Sequence, residues 1–279
     1  MFIHFIRYHI LNFKFQIQIQ FNLKMDRIKQ KRLLKDYKLV KTTPIDNIWI
    51  DWENDGENLL KAFSVVCGRE DTPYQHGFYA FDFDFSGDYP FVQPSVSYYS
   101  IGASIPQLKN YKASANAKIP RIHPNLYKNG YVCLSILGTW RGEGWSQCFN
   151  IQSISLELQS LLDENPITNE PSFEEETGIL SKRFIFMVAH ANIRASVIGM
   201  LRATPDKYTP VRHHMIQYFF KHFDSYIETC EKYKDHKWNK SVQTLKLYKW
   251  TEYIDFNKLK KELLNLKTEL KPELDDILT

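Results

Sequence analysis

Cys133 is the residue of this chain best placed for covalent chemistry. It lies in the stretch 123–145, H-P-N-L-Y-K-N-G-Y-V-C-L-S-I-L-G-T-W-R-G-E-G-W, behind three turn formers (Asn125, Asn129, Gly130) and ahead of an apolar run (Leu134, Ile136, Leu137). That order predicts a short extended segment leaving a turn, with a partly exposed thiol. With His123 ten residues upstream and Asn125 eight, the cysteine has three readings: nucleophile, metal ligand or buried core residue. The metal reading lacks its spacings, because the next cysteine, Cys148, is fifteen positions on and neither C-x-x-C nor H-x-x-x-H lies nearby. A papain-like protease uses the same three residue types, but there the cysteine comes first in the chain. His123 is followed directly by Pro124, which restricts its backbone and suits a turn better than a mobile base.

A nucleophilic cysteine without a dedicated base suits thioester exchange. Sulfur replaces sulfur with little help, and the difficult step is a later attack by an amine, whose tetrahedral oxyanion wants a fixed amide donor. Asn125 is the candidate donor. The order His-Pro-Asn, Gly130, Val132-Cys133-Leu134 closely resembles the active-site signature of ubiquitin-conjugating enzymes. The longer run V-C-L-S-I-L-G-T-W, then Trp145-Ser146, looks most like their Z-type, C-terminally extended subclass.

The resemblance implies an α+β UBC fold: an N-terminal helix, a four-stranded antiparallel meander, and central and C-terminal helices, followed here by a helical C-terminal extension. It implies that Cys133 takes ubiquitin or a ubiquitin-like protein from an activating enzyme as a thioester and passes it to a protein lysine. Asn125 would support the oxyanion or its loop, with His123, Pro124 and Gly130 as scaffold. In the loop D-E-N-P-I-T-N-E-P (163–171), Asn169 and Glu170 are the candidates for orienting and helping deprotonate the lysine. Arg27, Lys29, Lys31 and Arg32 would dock on the activating enzyme. Phe91, in Y-P-F-V-Q-P, and Trp145 with Ser146 would face a ligase, although the family's Ser-Pro-Ala reads Ser146-Gln147-Cys148 here. No metal or organic cofactor is implied, and ATP enters only through the activating enzyme. The rival reading is a non-catalytic UBC-fold protein that binds ubiquitin or scaffolds a ligase; variants of that kind lack the cysteine.

At 279 residues and 43% hydrophobic, the chain can bury one good core and carry an appendage. We expect an N-terminal extension (1–24), a catalytic domain (25–203) and a helical C-terminal extension (204–279). Strong helix chemistry begins just after Met25, which suggests translation from there. Four cysteines without a disulfide framework favour a reducing cytoplasmic or nuclear compartment, and a net charge of +4 is too mild to argue nucleic-acid binding. No apolar run reads as a membrane span.

Alternation predicts strands at 48–53, 59–67, 78–85 and 95–99, with Asn54-Asp55-Gly56 as a hairpin signal. The connection 100–120 is longer than the family needs and reads as an insert over the active-site side. Helical spacing marks 26–40, 150–162, 179–201, 211–233 and 255–270, the last ending before Pro272.

Overall fold

A computed structural model describes residues 26–53, 56–99 and 121–279. The insert, Asn54-Asp55 and the expected N-terminal extension with its alternative start lie outside the described residues. Helix α1 (26–42) packs Leu33 and Val40 inward, whereas Leu34 is 48% exposed. The buried polar member of this face is Asp36, which accepts hydrogen bonds from Arg32 and from the Tyr89 hydroxyl. The Asp36 carboxylate stays buried on this face because both partners are hydrogen-bonded to it.

Four strands follow: β1 (Ile48–Glu53), β2 (Asn58–Cys67), β3 (Phe78–Asp84) and β4 (Ser95–Tyr98). They form one antiparallel meander in chain order. In β3, Phe81 and Phe83 are buried while Asp82 and Asp84 reach the rim, and Lys61 of β2 sits opposite Asp84 and pairs with it. The period-two pattern is thus read out directly as inside and outside. Helix α2 (Ile151–Leu161) lies against β1 and β2. Asn150 starts it by accepting the Ser153 amide at 3.0 Å, and Ile151, Ile154 and Leu158 are fully buried.

Helix α3 runs Ile179–Arg202 and widens to π-type bonding over Asn192–Gly199. Asn192 ties this stretch to the sheet, accepting the Tyr79 hydroxyl at 2.6 Å and donating to the Gln75 carbonyl at 2.9 Å. Only glycine fits opposite: a Cβ on Gly77 would lie 1.8 Å from the Asn192 side-chain oxygen. By length and composition α3 could cross a membrane, against the expectation of no such run; 83% of its apolar window is buried, so it is a core helix.

The C-terminal region departs from the expected all-helical extension. Residues 211–233 form two helices, α4 (Arg212–Lys221) and α5 (Phe223–Tyr233), broken at His222. A β-hairpin then appears, β5 (Ser241–Leu245) paired with β6 (Trp250–Ile254) across a turn in which Lys249 has φ +50°. Its inward positions are Gln243, Leu245, Trp250 and Ile254, and the alternating residues face out. Helix α6 (Phe256–Leu278) passes through Pro272 instead of stopping before it. Leu270 and Leu274 stay packed on either side, and Arg212 grips Glu273 with two hydrogen bonds at 2.7 and 2.9 Å. Those contacts outweigh the one backbone bond that proline cannot make.

The hairpin is fastened to α3 through Glu252, which accepts from Arg194 at 2.7 Å and from the Trp250 indole at 3.0 Å and meets the His190 imidazole at 3.1 Å. Burial pushes the Glu252 carboxyl up, but Arg194 and His190 outweigh it and hold its pKa at about 2. Removing one partner of such a buried pair strands the other, so Glu252→Ala is expected to cost about 3–5 kcal/mol, measured as a lowered urea midpoint.

Candidate active site

The site is built on the segment joining β4 to α2. Gly130 turns it with φ +88°, its carbonyl accepts the Tyr98 amide at 2.8 Å, and a Cβ there would lie 3.1 Å from the Tyr98 carbonyl oxygen. Glycine is needed both for the turn and for this approach to the sheet edge. The chain then passes through Val132 to Cys133, followed by a short 3-10 turn at Ser135–Leu137. Thr139 closes that turn by bonding the Val132 carbonyl at 2.8 Å and the Leu134 amide at 2.9 Å.

Asn125 and Cys133 are stapled to each other. The Cys133 amide donates to the Asn125 carbonyl at 2.9 Å, and the Asn125 side-chain amide donates to the Cys133 carbonyl at 3.0 Å. Asn125 is 4% exposed and its side-chain oxygen has no protein partner. His123 braces the same turn, its Nδ1 accepting the Asn125 amide at 3.0 Å. Burial pushes the His123 pKa down to about 3, so the ring is neutral at physiological pH and holds its place as an acceptor. Pro124 is buried, and its carbonyl accepts from Arg121.

The Cys133 residue is 5% exposed, less than the turn signals led us to expect. Burial raises its thiol pKa, opposed by a hydrogen bond to Tyr127 and by the charge of Arg121. The thiolate is therefore scarce near neutrality. Iodoacetamide should label Cys133 slowly at pH 7 and faster as pH rises, along a profile displaced upward from that of an ordinary thiol. Peptide mass spectrometry would separate its signal from that of exposed Cys148.

Glu170 follows the 3-10 turn Pro166–Asn169 and is half-buried. Its carboxylate accepts the Tyr248 hydroxyl at 2.7 Å and lies 3.9 Å from the Arg121 guanidinium. Asn169 turns away and donates to Asp163 at 2.7 Å. Arg121 stacks over the Tyr127 ring at 3.9 Å and over the Tyr248 ring at 4.9 Å. Sequence reasoning missed Arg121, Tyr127 and Tyr248. Arg121 directly precedes Ile122-His123-Pro124 and could have been asked what it neutralises, but Tyr248 comes from the turn of the unforeseen hairpin.

The remaining candidates lie apart from this cluster. Phe91 is 43% exposed beside Trp145, whose indole donates to the Pro90 carbonyl at 2.8 Å. Ser146 and Cys148 are exposed. On α1, Arg27 and Lys31 are exposed and Lys29 reaches the Ser86 carbonyl at 3.4 Å. Arg32 points inward, gripping Asp36 and the carbonyls of Gln147 and Phe149. Glu70, His76 and His222 bring ligand atoms within 4.8 Å, but the two imidazoles lie face to face at 4.2 Å, which does not aim their in-plane lone pairs at one ion.

Residues 32–184 match the family profile described as "Ubiquitin-conjugating enzyme", which is more than half of the chain. The chain belongs to the ubiquitin-conjugating enzyme family. It is 35% identical over 178 residues to "Ubiquitin-conjugating enzyme E2 Z" of Homo sapiens, covering 63% of this chain and 46% of that one. The protein of the same name from Danio rerio is 34% identical over 178 residues, covering 63% and 50%. "Probable ubiquitin-conjugating enzyme E2 23" of Arabidopsis thaliana is 35% identical over 153 residues, covering 53% and 12%. The chain thus spans about half the length of the E2 Z relatives it matches. The matched UBC region contains Asn125, Cys133 and Glu170 and ends well before Tyr248.

Proposed function

We propose that this chain is an active conjugating enzyme. It accepts ubiquitin or a ubiquitin-like protein from an activating enzyme as a thioester on Cys133 and transfers it to a lysine amine. The observation that carries this reading is the reciprocal pairing of Asn125 with Cys133, which fixes a buried carboxamide beside a cysteine whose thiol is also favoured in its charged form by Tyr127 and Arg121. In the reaction the thiolate attacks the incoming thioester carbonyl and the activating enzyme's thiol leaves. The lysine amine later attacks the same carbonyl, the C–S bond breaks, and Asn125 steadies the oxyanion or the loop around it. Glu170 orients the amine and takes its proton.

Arg27 and Lys31 on α1 offer charge to the activating enzyme, and Phe91, Trp145 and Ser146 form the edge a ligase would meet. Similarity to E2 Z proteins makes a modifier other than ubiquitin worth testing. The decisive experiment incubates the chain with ATP and a panel of activating enzymes and modifiers, then looks on a non-reducing gel for an adduct that thiol reductant removes. Absence of that adduct with every pair would favour the non-catalytic ubiquitin-binding reading.

A further inference from the structure

The hairpin outside the matched family region touches the candidate site at three points. The Tyr248 hydroxyl donates to Glu170 at 2.7 Å, its ring lies 4.9 Å from the Arg121 guanidinium, and its carbonyl accepts from Lys128 at 3.3 Å. Arg121 is thereby held between two aromatic rings, with the Glu170 carboxylate 3.9 Å away and the Pro124 carbonyl as a further acceptor. A half-buried carboxylate on a loop would ordinarily sample several rotamers; here a phenol and a clamped guanidinium fix it.

We propose that Tyr248 is a positioning residue for lysine transfer, and that the β5–β6 hairpin is a working wall of the active site. This rests on the conjugating reading above. In the step concerned, the lysine nitrogen forms a bond to the thioester carbonyl carbon and the C–S bond breaks. Cys133 leaves as thiolate, and the surplus proton of the amine passes to Glu170 and then to solvent. Tyr248 touches none of the reacting atoms; it acts by keeping Glu170 where the amine arrives, and a carboxylate out of position by about 1 Å forfeits much of its effect.

The test starts from purified wild-type and variant thioesters and follows single-turnover discharge. Tyr248→Phe keeps the ring over Arg121 and removes only the hydroxyl. It should slow discharge to free lysine by about ten- to hundredfold at saturating lysine. Discharge to hydroxylamine, which is already largely uncharged at neutral pH and needs no base, should match wild type. The double variant Tyr248→Phe/Glu170→Gln should be no slower than Glu170→Gln alone, since the two residues act as one unit. Wild-type lysine discharge by Tyr248→Phe, equal slowing of both nucleophiles, or additive losses in the double variant would each overturn the positioning role. A wild-type chain that never charges overturns the conjugating reading beneath it, which is a distinguishable result.

Discussion

With activating enzyme, ATP and modifier, Cys133→Ser is expected to carry the modifier as an ester that survives thiol reductant, and Cys133→Ala to carry none. The size of this effect follows from the other three cysteines. Cys67 and Cys230 are each 1% exposed, and burial drives the Cys67 thiol far up and the Cys230 thiol up to about 12, so neither supplies a thiolate or room for a protein-sized acyl group. Cys148 is exposed and its amide bonds the Ser146 hydroxyl at 3.3 Å, but it lies outside the His-Pro-Asn turn, and the Arg32 guanidinium beside it is spent on the carbonyls of Gln147 and Phe149. Cys148→Ser should therefore charge like wild type. A reductant-sensitive adduct that persists in Cys133→Ala would refute the assignment.

The second large effect is expected from Asn125→Ala, which should accept the modifier but release it to lysine about a hundred- to thousandfold more slowly. Two separate losses contribute. The oxyanion donor proposed above would disappear, and the staple to the Cys133 carbonyl, 3.0 Å long in a nearly dry environment, would be cut. Transthioesterification is less demanding than amide formation, because the attacking and leaving atoms are both sulfur, so charging tolerates the change. Thermal unfolding of the variant separates the contributions: a slow but normally stable protein points to the oxyanion, and a slow, destabilised one to the loop. Normal discharge would remove Asn125 from the mechanism.

Much of the fold was legible because its signals are local. Phe81-Asp82-Phe83-Asp84 states which face of β3 is wet, and Ile151, Ile154 and Leu158 state which side of α2 is dry. The nucleophile candidate was equally legible, since His123, Asn125, Gly130 and Cys133 fall within one turn-rich stretch. The part not read is long-range. Tyr248 lies 78 residues from Glu170 and 120 from Lys128 along the chain, and five-residue strands flanking K-L-Y-K carry too little periodicity to separate from loop. The burial of Asp36 was not legible for a related reason: a buried carboxylate is intelligible only once Arg32 and Tyr89 are seen around it. At His222 the aromatic stripe continues on both sides of the break, so periodicity alone ran the two helices together.

Arg32 gives the two edges proposed above for partner docking a common hinge. Its guanidinium leaves α1 and ends on the carbonyls of Gln147 and Phe149, so the helix and the segment proposed above as docking edges are mechanically joined. A partner that shifts the 146–149 segment must work against, or carry with it, the register of α1. If the proposed partners dock at these two edges, reciprocity requires that any effect of one on the affinity of the other be matched by the same factor in return. Alternation between the two partners would then be a property of one arginine as well as of competition for space.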